Sequence, residues 1–256
     1  MNAPPPSLPS PPPSASSPLP VWAVVVARTG PTAKSRLAPA LGVSQRILLA
    51  QAMLADVVAA CRQAGLRGPV VVTDGPAARE RFARAGLPVV ADGGREMNLA
   101  VQAGIAAAAG AGAVLVLPGD VPLVTPADLH TLVSWAARGS TVVGIATDRA
   151  GQGTNALVMR PPRAIQPGFG PRSAPRHLAR ARMAGASTHL TRLPSLVLDV
   201  DTPHDLALLR RTRPRGETGA FLASLPVPRS HSEAPGQLGT SDLGLGASSG
   251  ATHAVR

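Results

Sequence analysis

The stretch Val21-Trp22-Ala23-Val24-Val25-Val26-Ala27 decides the fold, because it is a continuous run of β-branched and other apolar residues. Such a run predicts a buried strand. Comparable short runs recur downstream, at Val70–Thr73, Val89–Ala91, Ala113–Leu117, Thr141–Ala146, Ala156–Arg160 and Leu196–Val200. Segments with helical patterns lie between most of these runs. Strands that alternate with helices predict an α/β fold with a doubly wound, mostly parallel sheet.

The helices are marked by their end signals. Ser44 is a capping residue before an apolar pattern that stops at Gly65, and Thr125 precedes a proline at a helix start. The helices predicted in this way are Ser44–Ala64, Ala77–Ala85, Glu96–Ala109, Ser173–Ala184 and two that begin at Pro126 and Pro203. Ligands of such sheets bind beyond the carboxyl ends of the strands, so functional residues are expected in the loops that follow strands.

The composition narrows the class of ligand. The chain has 256 residues, of which 45% are hydrophobic and only 2% aromatic. A core of small aliphatic residues suits a parallel sheet, and the lack of aromatic stacking surfaces argues against nucleic-acid binding. The net charge of +11 comes almost entirely from scattered Arg residues. It fits either a compositional bias toward Arg or a field that attracts small anionic substrates.

The ends of the chain differ from its middle. Residues 1–20 are rich in Pro and Ser, and residues 213–256 are rich in Gly, Ser and Pro, so both predict disordered tails around a single domain at residues 21–212. The single cysteine, Cys61, cannot form an internal disulfide, which fits a cytoplasmic protein. We expect no membrane contact, because no apolar run approaches the roughly 20 residues of a membrane span and no signal-peptide pattern is present.

The loop after the first strand concentrates positive charge. Its sequence is Arg28-Thr29-Gly30-Pro31-Thr32-Ala33-Lys34-Ser35-Arg36-Leu37. Arg28, Lys34 and Arg36 can neutralise a triphosphate and the charge that develops on a leaving diphosphate. The loop is not a P-loop, because the pattern G-x-x-x-x-G-K-[ST] is absent. A solvated basic loop without a ligand is the alternative interpretation.

Carboxylates follow two other apolar runs. Asp120 comes directly after the strand Ala113–Leu117, and Asp199 and Asp201 lie at the end of the predicted strand Leu196–Val200. Residues two apart on a strand point the same way, so the three acids could share one Mg²⁺ that bridges phosphates. The alternatives are that Asp120 only forms a turn and that Asp201 or Thr202 only caps the helix that begins at Pro203.

Two further segments have the character of anion-binding loops. Gly151–Asn155 and Phe169–Ser173 combine glycine with hydroxyl side chains, and Ser173 begins a predicted helix whose free N–H groups favour an anion. Positive charge is expected nearby from Arg172, Arg176 and His177. Asn98 follows a Gly-Gly pair that lets a flat ring approach, so it could contact the edge of a base. A hairpin turn, a helix cap and a polar helix start are the respective alternatives.

Five motifs, in this order along the chain, make the sequence similar to a known family. They are Ala33-Lys34-Ser35-Arg36-Leu37-Ala38, Leu117-Pro118-Gly119-Asp120-Val121-Pro122, Gly153-Thr154-Asn155-Ala156-Leu157, Phe169-Gly170-Pro171-Arg172-Ser173 with Arg176-His177-Leu178, and Asp199-Val200-Asp201-Thr202-Pro203. With them the chain resembles the guanylyltransferases of coenzyme F-420 biosynthesis. That family uses GTP to activate 2-phospho-L-lactate, phosphoenolpyruvate or 3-phosphoglycerate.

The resemblance implies a Rossmann-like fold of the nucleotide-diphospho-sugar transferase type. It implies Mg²⁺ as cofactor and GTP and a small phosphorylated acid as partners, with phosphoenolpyruvate favoured. The implied Mg²⁺ ligands are Asp120, Asp199 and Asp201. The implied acceptor-binding residues are Thr154, Gly170 and Ser173. The implied nucleotide-binding residues are Arg28, Lys34, Arg36 and Asn98, and the implied catalytic residues are Lys34, Arg36 and Asp120. The oligomeric state stays open between a monomer and a homodimer.

Two residues depart from the family pattern. Arg28 stands where the first loop usually opens with Lys, and Arg172 stands where a small or acidic residue is commoner, beside the acceptor site. The nearest alternative is another nucleotidyltransferase, such as a molybdenum-cofactor guanylyltransferase, but the Gly-Gly loop that those enzymes carry after the first strand is absent. A non-catalytic nucleotide-binding regulator is a further alternative, against which Lys34, Arg36 and the three acids argue.

Overall fold

Seven strands form one sheet in the computed structural model, which describes residues 19–94 and 96–226. The strands are β1 (Val21–Ala27), β2 (Arg67–Thr73), β3 (Val89–Ala91), β4 (Ala113–Pro118), β5 (Val142–Thr147), β6 (Thr154–Arg160) and β7 (Ser187–Thr191). The helices are α1 (Val43–Gln63), α2 (Pro76–Arg84), α3 (Met97–Ala107), α4 (Pro126–Ser134), α5 (Ser173–Met183), α6 (Pro203–Thr212) and α7 (Gly216–Ser224). Short 3-10 turns cover Ser35–Leu37 and Trp135–Arg138.

The strand order is β3-β2-β1-β4-β6-β5-β7, and β1 lies near the middle between β2 and β4. Among the described strands, β6 alone runs against the others, since it pairs antiparallel with both β4 and β5. Each parallel neighbour of β1 is reached by a helical crossover, as parallel pairing requires. The predicted α/β fold with a doubly wound, mostly parallel sheet is therefore confirmed.

Helices cover both faces of the sheet. On one face, residues of α1, α2 and α4 such as Leu54, Phe82 and Leu129 pack against β1, β2 and β4. On the other face, α3 and α5 contribute Val101 and Ala181 to a second core. The run Val21–Ala27 is buried from both sides at its centre, which explains why it is apolar without alternation.

A third apolar cluster lies at the edge where the functional loops meet. It joins Leu37 from the first loop, Met53 from α1 and Leu206 from α6, together with Leu198 and Val200. Leu198 and Val200 alternate along the chain with Asp199 and Asp201, so burying the two apolar side chains leaves the two acids less buried. The apolar cluster thus fixes where these carboxylates lie.

The predicted strand Leu196–Val200 does not form, although its alternating burial does. Its backbone is bonded to loops instead of a strand, because Val200 N donates to Asp120 O (3.1 Å) and Val197 O accepts from Arg149 N (3.1 Å). Conversely, the strand Ser187–Thr191 was not predicted. It is an exposed edge strand paired only with β5 among the described strands, and it carries no apolar run to signal it.

The start of the predicted C-terminal tail is folded, so the domain extends beyond residue 212. Helix α7 packs on α1, and Asp56 of α1 caps it by accepting from Glu217 N and Thr218 N (2.8 Å each). Gly216 has φ +71°, and a Cβ there would lie 2.2 Å from Asp56 Oδ1, so glycine is required. This helix depends on a tertiary contact that composition does not reveal. The remaining predicted disorder, at residues 1–18 and 227–256, lies outside the described residues.

Helix α1 corrects one expectation about apolar length. It has 21 residues and contains an 18-residue window with a mean hydropathy of 1.3, so it is long and apolar enough to cross a membrane by length and composition alone. Slightly more than half of that stretch is buried in the fold, where Leu49, Met53 and Leu54 are fully covered. Packing in the core accounts for the apolar character of α1.

Candidate active site

A cleft of about 550 Å³ opens at the carboxyl ends of β1 and β4. Its walls come from the loop after β1, the loop after β4, the start of α3 and the segment before α5. Predicted site residues on these walls are Arg28, Lys34, Arg36, Asn98, Asp120, Gly170 and Asp201. Thr154, Ser173 and Asp199 do not line this cleft, and the first two are almost fully buried. The cleft lies where an α/β sheet is expected to bind its ligands.

The loop after β1 is held in a fixed shape by the neighbouring strand. Asp74 directly follows β2, and its Oδ1 accepts hydrogen bonds from Thr29 N (2.7 Å) and Gly30 N (2.9 Å). Lys34 then has a left-handed backbone, with φ 49° and ψ 43°, before the 3-10 turn that buries Leu37. A non-glycine residue in this region costs about 1 kcal/mol or more, and such strain is concentrated at functional sites. Neither Asp74 nor this strain was predicted from the sequence.

Lys34 connects the two carboxylate loops. Its Nζ donates to Asp120 Oδ2 (2.5 Å) and to Asp201 Oδ1 (2.7 Å), and its side chain is only 10% exposed. Burial alone would lower the pKa of Lys34, but the charges of Asp120 and Asp201 raise it above its ordinary value. Burial would likewise raise the pKa of Asp201, yet the nearby charge of Lys34 lowers it overall. Lys34 and Asp201 are therefore both ionised at neutral pH.

The second carboxylate of the predicted pair lies apart from this ion triad. Asp199 Oδ1 accepts from Asn155 Nδ2 (3.3 Å), and that same amide donates to Leu196 O (2.7 Å). Burial, followed by the charge of Asp120, raises the pKa of Asp199. Within the described residues, no three His, Cys, Asp or Glu side chains lie close enough together to hold a metal ion jointly while Lys34 occupies the place between Asp120 and Asp201. The ammonium of Lys34 thus lies between Asp120 and Asp201, two of the three carboxylates predicted to share a metal ion.

The two arginines of the first loop differ from Lys34. Arg36 is 77% exposed, and its Nη1 lies 3.9 Å from Asp201 Oδ2, so it contributes charge at the rim. Arg28 also lines the cleft, directly after β1. The cations predicted from the loop sequence are therefore all on one wall, with one buried and at least one exposed to an entering ligand.

The opposite wall is tied to α3 through Asn98. Its Oδ1 accepts from Phe169 N (2.6 Å), and its Nδ2 donates to Phe169 O (3.3 Å) and to Glu96 Oε1 (3.3 Å). Asn98 was predicted to contact a base edge, but both ends of its amide are engaged by Phe169. These hydrogen bonds tie the start of α3 to the segment that carries Gly170.

Gly170 and Arg172 shape the start of α5. Gly170 has φ +111°, which an L side chain rarely adopts, and Arg172 is left-handed with φ 54°. Ser173 N donates to Gly170 O (3.1 Å), and Ala174 N donates to Gln152 O (3.0 Å), so the two predicted anion-binding loops are joined here. The side chain of Arg172 is exposed.

His177 lies behind this wall and is fully buried. Its Nε2 accepts from Gly168 N (2.8 Å), and its Nδ1 is 3.0 Å from Thr154 Oγ1. Burial, with the charges of Arg180 and Arg176, lowers the pKa of His177 to about 4. The expectation that His177 adds positive charge is therefore wrong, because the ring is neutral at physiological pH.

The sequence of the chain matches known guanylyltransferases. A family model described as guanylyl transferase CofC like matches residues 22–235. The chain is 41% identical over 191 residues to a phosphoenolpyruvate guanylyltransferase of Rubrobacter xylanophilus, covering 74% of this chain and 93% of the relative. A phosphoenolpyruvate guanylyltransferase of Conexibacter woesei is 39% identical, with coverage of 74% and 86%. A 3-phospho-D-glycerate guanylyltransferase of Phenylobacterium zucineum is 33% identical, with coverage of 79% and 95%.

Solved structures share the fold at lower identity. A Desulfovibrio desulfuricans protein assigned as a nucleotide-diphospho-sugar transferase has a TM-score of 0.65 and 17% identity, covering 80% of this chain and 94% of that one. A Mycobacterium tuberculosis protein in complex with manganese has a TM-score of 0.52 and 20% identity, with coverage of 75% and 98%. The predicted fold type is confirmed by the first of these. With the family match across most of its length, the chain belongs to the CofC-like guanylyltransferases.

Proposed function

We propose that this chain transfers GMP from GTP to a small phosphorylated three-carbon acid, releasing diphosphate, in coenzyme F-420 biosynthesis. Phosphoenolpyruvate is the favoured acceptor, because the relatives at 41% and 39% identity are named for it and the 3-phospho-D-glycerate enzyme is 33% identical. 2-Phospho-L-lactate and 3-phosphoglycerate are the acceptors to compare with it. Both substrates are cytoplasmic metabolites, which supports a cytoplasmic location.

The observation that carries this proposal is the buried ammonium of Lys34 on the wall of the cleft. A cation held between Asp120 and Asp201 is already positioned at the cleft, where it can exchange a carboxylate partner for phosphate oxygens. Arg36 and Arg28 supply further positive charge on the same wall. This set fits a triphosphate, and we assign Lys34 and Arg36 to stabilising the charge that develops on diphosphate.

Asp120, Asp199 and Asp201 are proposed to hold Mg²⁺. Carboxylate oxygens are the donors that this ion prefers. The buried Oδ1 of Asp120 has no hydrogen-bond partner in the described part of the chain, so it is available to a cation. The raised pKa of Asp199 reflects burial beside Asp120, a cost that a divalent ion would relieve. Bound Mg²⁺ would neutralise phosphate oxygens, and the manganese in a protein of the same fold supports a divalent metal here.

The acceptor is proposed to bind at Thr154, Gly170 and Ser173. Ser173 begins α5, whose positive dipole end favours a phosphate, and Gly170 shapes the backbone before it. A phosphate oxygen of the acceptor attacks the α-phosphorus of GTP, and the bond to the bridging oxygen breaks as diphosphate leaves. No covalent intermediate with the protein is needed, so positioning and charge stabilisation are the tasks of these residues.

The test is a panel of acceptors with the purified full-length chain. Diphosphate release is measured with GTP and each of phosphoenolpyruvate, 2-phospho-L-lactate and 3-phosphoglycerate, and each product is identified by mass. We expect release with phosphoenolpyruvate at the highest kcat/KM. ATP in place of GTP serves as the matched nucleotide control. Release with none of the three acids would overturn the proposed function.

A further inference from the structure

A buried histidine links the two segments to which we assign the acceptor. His177 lies on α5, is fully buried and contacts Phe169 edge-on with ring centroids 5.2 Å apart. One ring nitrogen faces Thr154 at the start of β6, and the other faces Gly168, two residues before Gly170. The mechanism proposed above gives this ring no task, and its burial excludes direct contact with solvent.

The hydrogen bonds decide which nitrogen carries the proton. The backbone N–H of Gly168 is a donor, so Nε2 of His177 must accept and cannot itself be protonated. In a neutral imidazole the proton then lies on Nδ1, which donates to Thr154 Oγ1 at 3.0 Å. A protonated ring would direct a second N–H at the Gly168 N–H and is disfavoured for that reason.

This arrangement sets the direction of the Thr154 hydroxyl. Its oxygen accepts from His177, and in the described part of the chain no second hydrogen-bond partner of Thr154 Oγ1 is present. The hydroxyl proton therefore has no acceptor among the described residues, and it can donate to a ligand that reaches Thr154, whose exposed fraction is 4%. We propose that His177 is a positioning residue that presents the Thr154 hydroxyl as a donor to the acceptor phosphate while holding Gly168 in register. This inference rests on the proposed function, because it takes the acceptor site as given.

Two arginines complete the support of the segment but act differently. Arg176 donates to Gly168 O (2.8 Å) and to Pro171 O (2.9 Å), and Arg180 donates to Gln166 O (2.6 Å). They hold carbonyl groups, whereas His177 holds an amide and a hydroxyl. A positioning role of His177 toward Thr154 can thus be separated from general support of the segment.

The experiment uses two substitutions that each keep one half of the ring. His177→Asn keeps a donor near the position of Nδ1 and loses the acceptor for Gly168. His177→Gln keeps an acceptor near the position of Nε2 and loses the donor to Thr154. We expect His177→Gln to raise the KM for phosphoenolpyruvate about 5- to 10-fold, with the KM for GTP unchanged, as loss of one hydrogen bond predicts. His177→Asn should have a smaller effect on that KM.

A double-mutant cycle checks that the effect passes through Thr154. In a Thr154→Val background, which removes the hydroxyl, His177→Gln should cause no further rise in the acceptor KM. Equal losses in the Asn and Gln variants, or an additive effect in the double variant, would overturn the positioning role while leaving the proposed function standing.

A second measurement uses the wild-type protein and requires neither enzymatic activity nor a variant that folds. The ¹⁵N resonances of the wild-type imidazole report which nitrogen is protonated, and we expect the proton on Nδ1 of His177. A proton on Nε2 would overturn the inference. If the wild type released no diphosphate with any acid, the proposed function would fail on the acceptor panel, and the tautomer would still decide the arrangement described here.

Discussion

The two sides of the cleft are stabilised by different forces. The side that we call the β1 side, formed by Lys34, Arg36, Asp120 and Asp201, is held by ion pairs. The side that we call the α5 side, formed by Thr154, residues 168–173 and His177, is held by hydrogen bonds that come from the neutral His177, from the backbone and from Arg176. Charges on the β1 side are partnered by one another, so a ligand must exchange partners there.

This difference matches the two proposed tasks. A triphosphate brings several negative charges that develop further during the reaction, and charged partners respond most strongly to such changes. An acceptor has to be oriented, and neutral hydrogen bonds with fixed donors do this without attracting competing anions. We therefore expect substitutions on the β1 side to change kcat strongly and substitutions on the α5 side to change mainly the acceptor KM.

Asp120→Asn should have the largest effect. The change removes one charge from the proposed metal site and from the partner of Lys34, and we expect diphosphate release to fall by about 10³-fold or more. Circular dichroism and thermal unfolding should show a folded protein. Glu80→Gln, which breaks only an exposed ion pair with Arg84, is the matched control and should leave activity unchanged. Activity near wild type in Asp120→Asn would contradict the metal assignment.

The α5 side should lose stability at acid pH, because His177 becomes protonated there. The folded pKa of His177 is about 4, below its ordinary value of 6.5, so the unfolded chain binds more protons than the folded one between these values. Stability from this group is fully present above pH 6.5 and is lost as pH falls toward 4. The full loss is about 3 kcal/mol. Arg176 and Arg180 are the charged groups that act on the ring.

Urea unfolding between pH 4.5 and 7.5 measures this loss. The wild type should lose more free energy of unfolding on acidification than His177→Gln does, because the variant has no group to protonate at this position. Parallel curves for the two proteins would contradict the assignment of a neutral, buried ring.

Lys34→Gln tests the β1 side without the reaction. Removing the ammonium leaves the carboxylates of Asp120 and Asp201 facing each other, so unfolding in a chelator should become easier by about 2 kcal/mol. Mg²⁺ should restore more stability to this variant than to the wild type. Arg36→Gln is the control, since this exposed side chain should contribute less than about 0.5 kcal/mol. Equal changes in the free energy of unfolding for the two variants would show that the buried position of Lys34 confers no additional stability.

Sequence patterns predicted the strands and helices whose signals are local. The runs from Val21 and from Ala113 are buried on both faces and read directly as strands. The exposed strand Ser187–Thr191 and helix α7 were missed, because each is held by pairing or capping from a distant part of the chain. The apolar run Leu196–Val200 misled for the reverse reason, since burial beneath loops needs the same alternation as a strand.

For the site, residue types indicated the chemistry but not the partners. The basic loop and the acids after strands were sufficient to propose a triphosphate and a metal, and Lys34 with Asp120 does line the cleft. Nothing local could reveal that Lys34 lies between two carboxylates, or that His177 is buried, neutral and faced by an amide from Gly168. Such facts depend on residues that are far apart along the chain.

The smallest effect is expected at Asn98, because this residue lies between the two sides of the cleft. It lines the cleft, but its amide is paired with the backbone of Phe169 on the α5 side. Asn98→Ala should lower the free energy of unfolding by about 1 kcal/mol and raise the KM for the acceptor several-fold. The preference for GTP over ATP should stay close to that of the wild type. Asn98→Asp keeps the oxygen that accepts from Phe169 N. Its stability and its acceptor KM should therefore lie between those of the wild type and those of Asn98→Ala. Loss of the preference for GTP with an unchanged KM for the acceptor would instead indicate that Asn98 contacts the guanine base and acts with the residues of the β1 side.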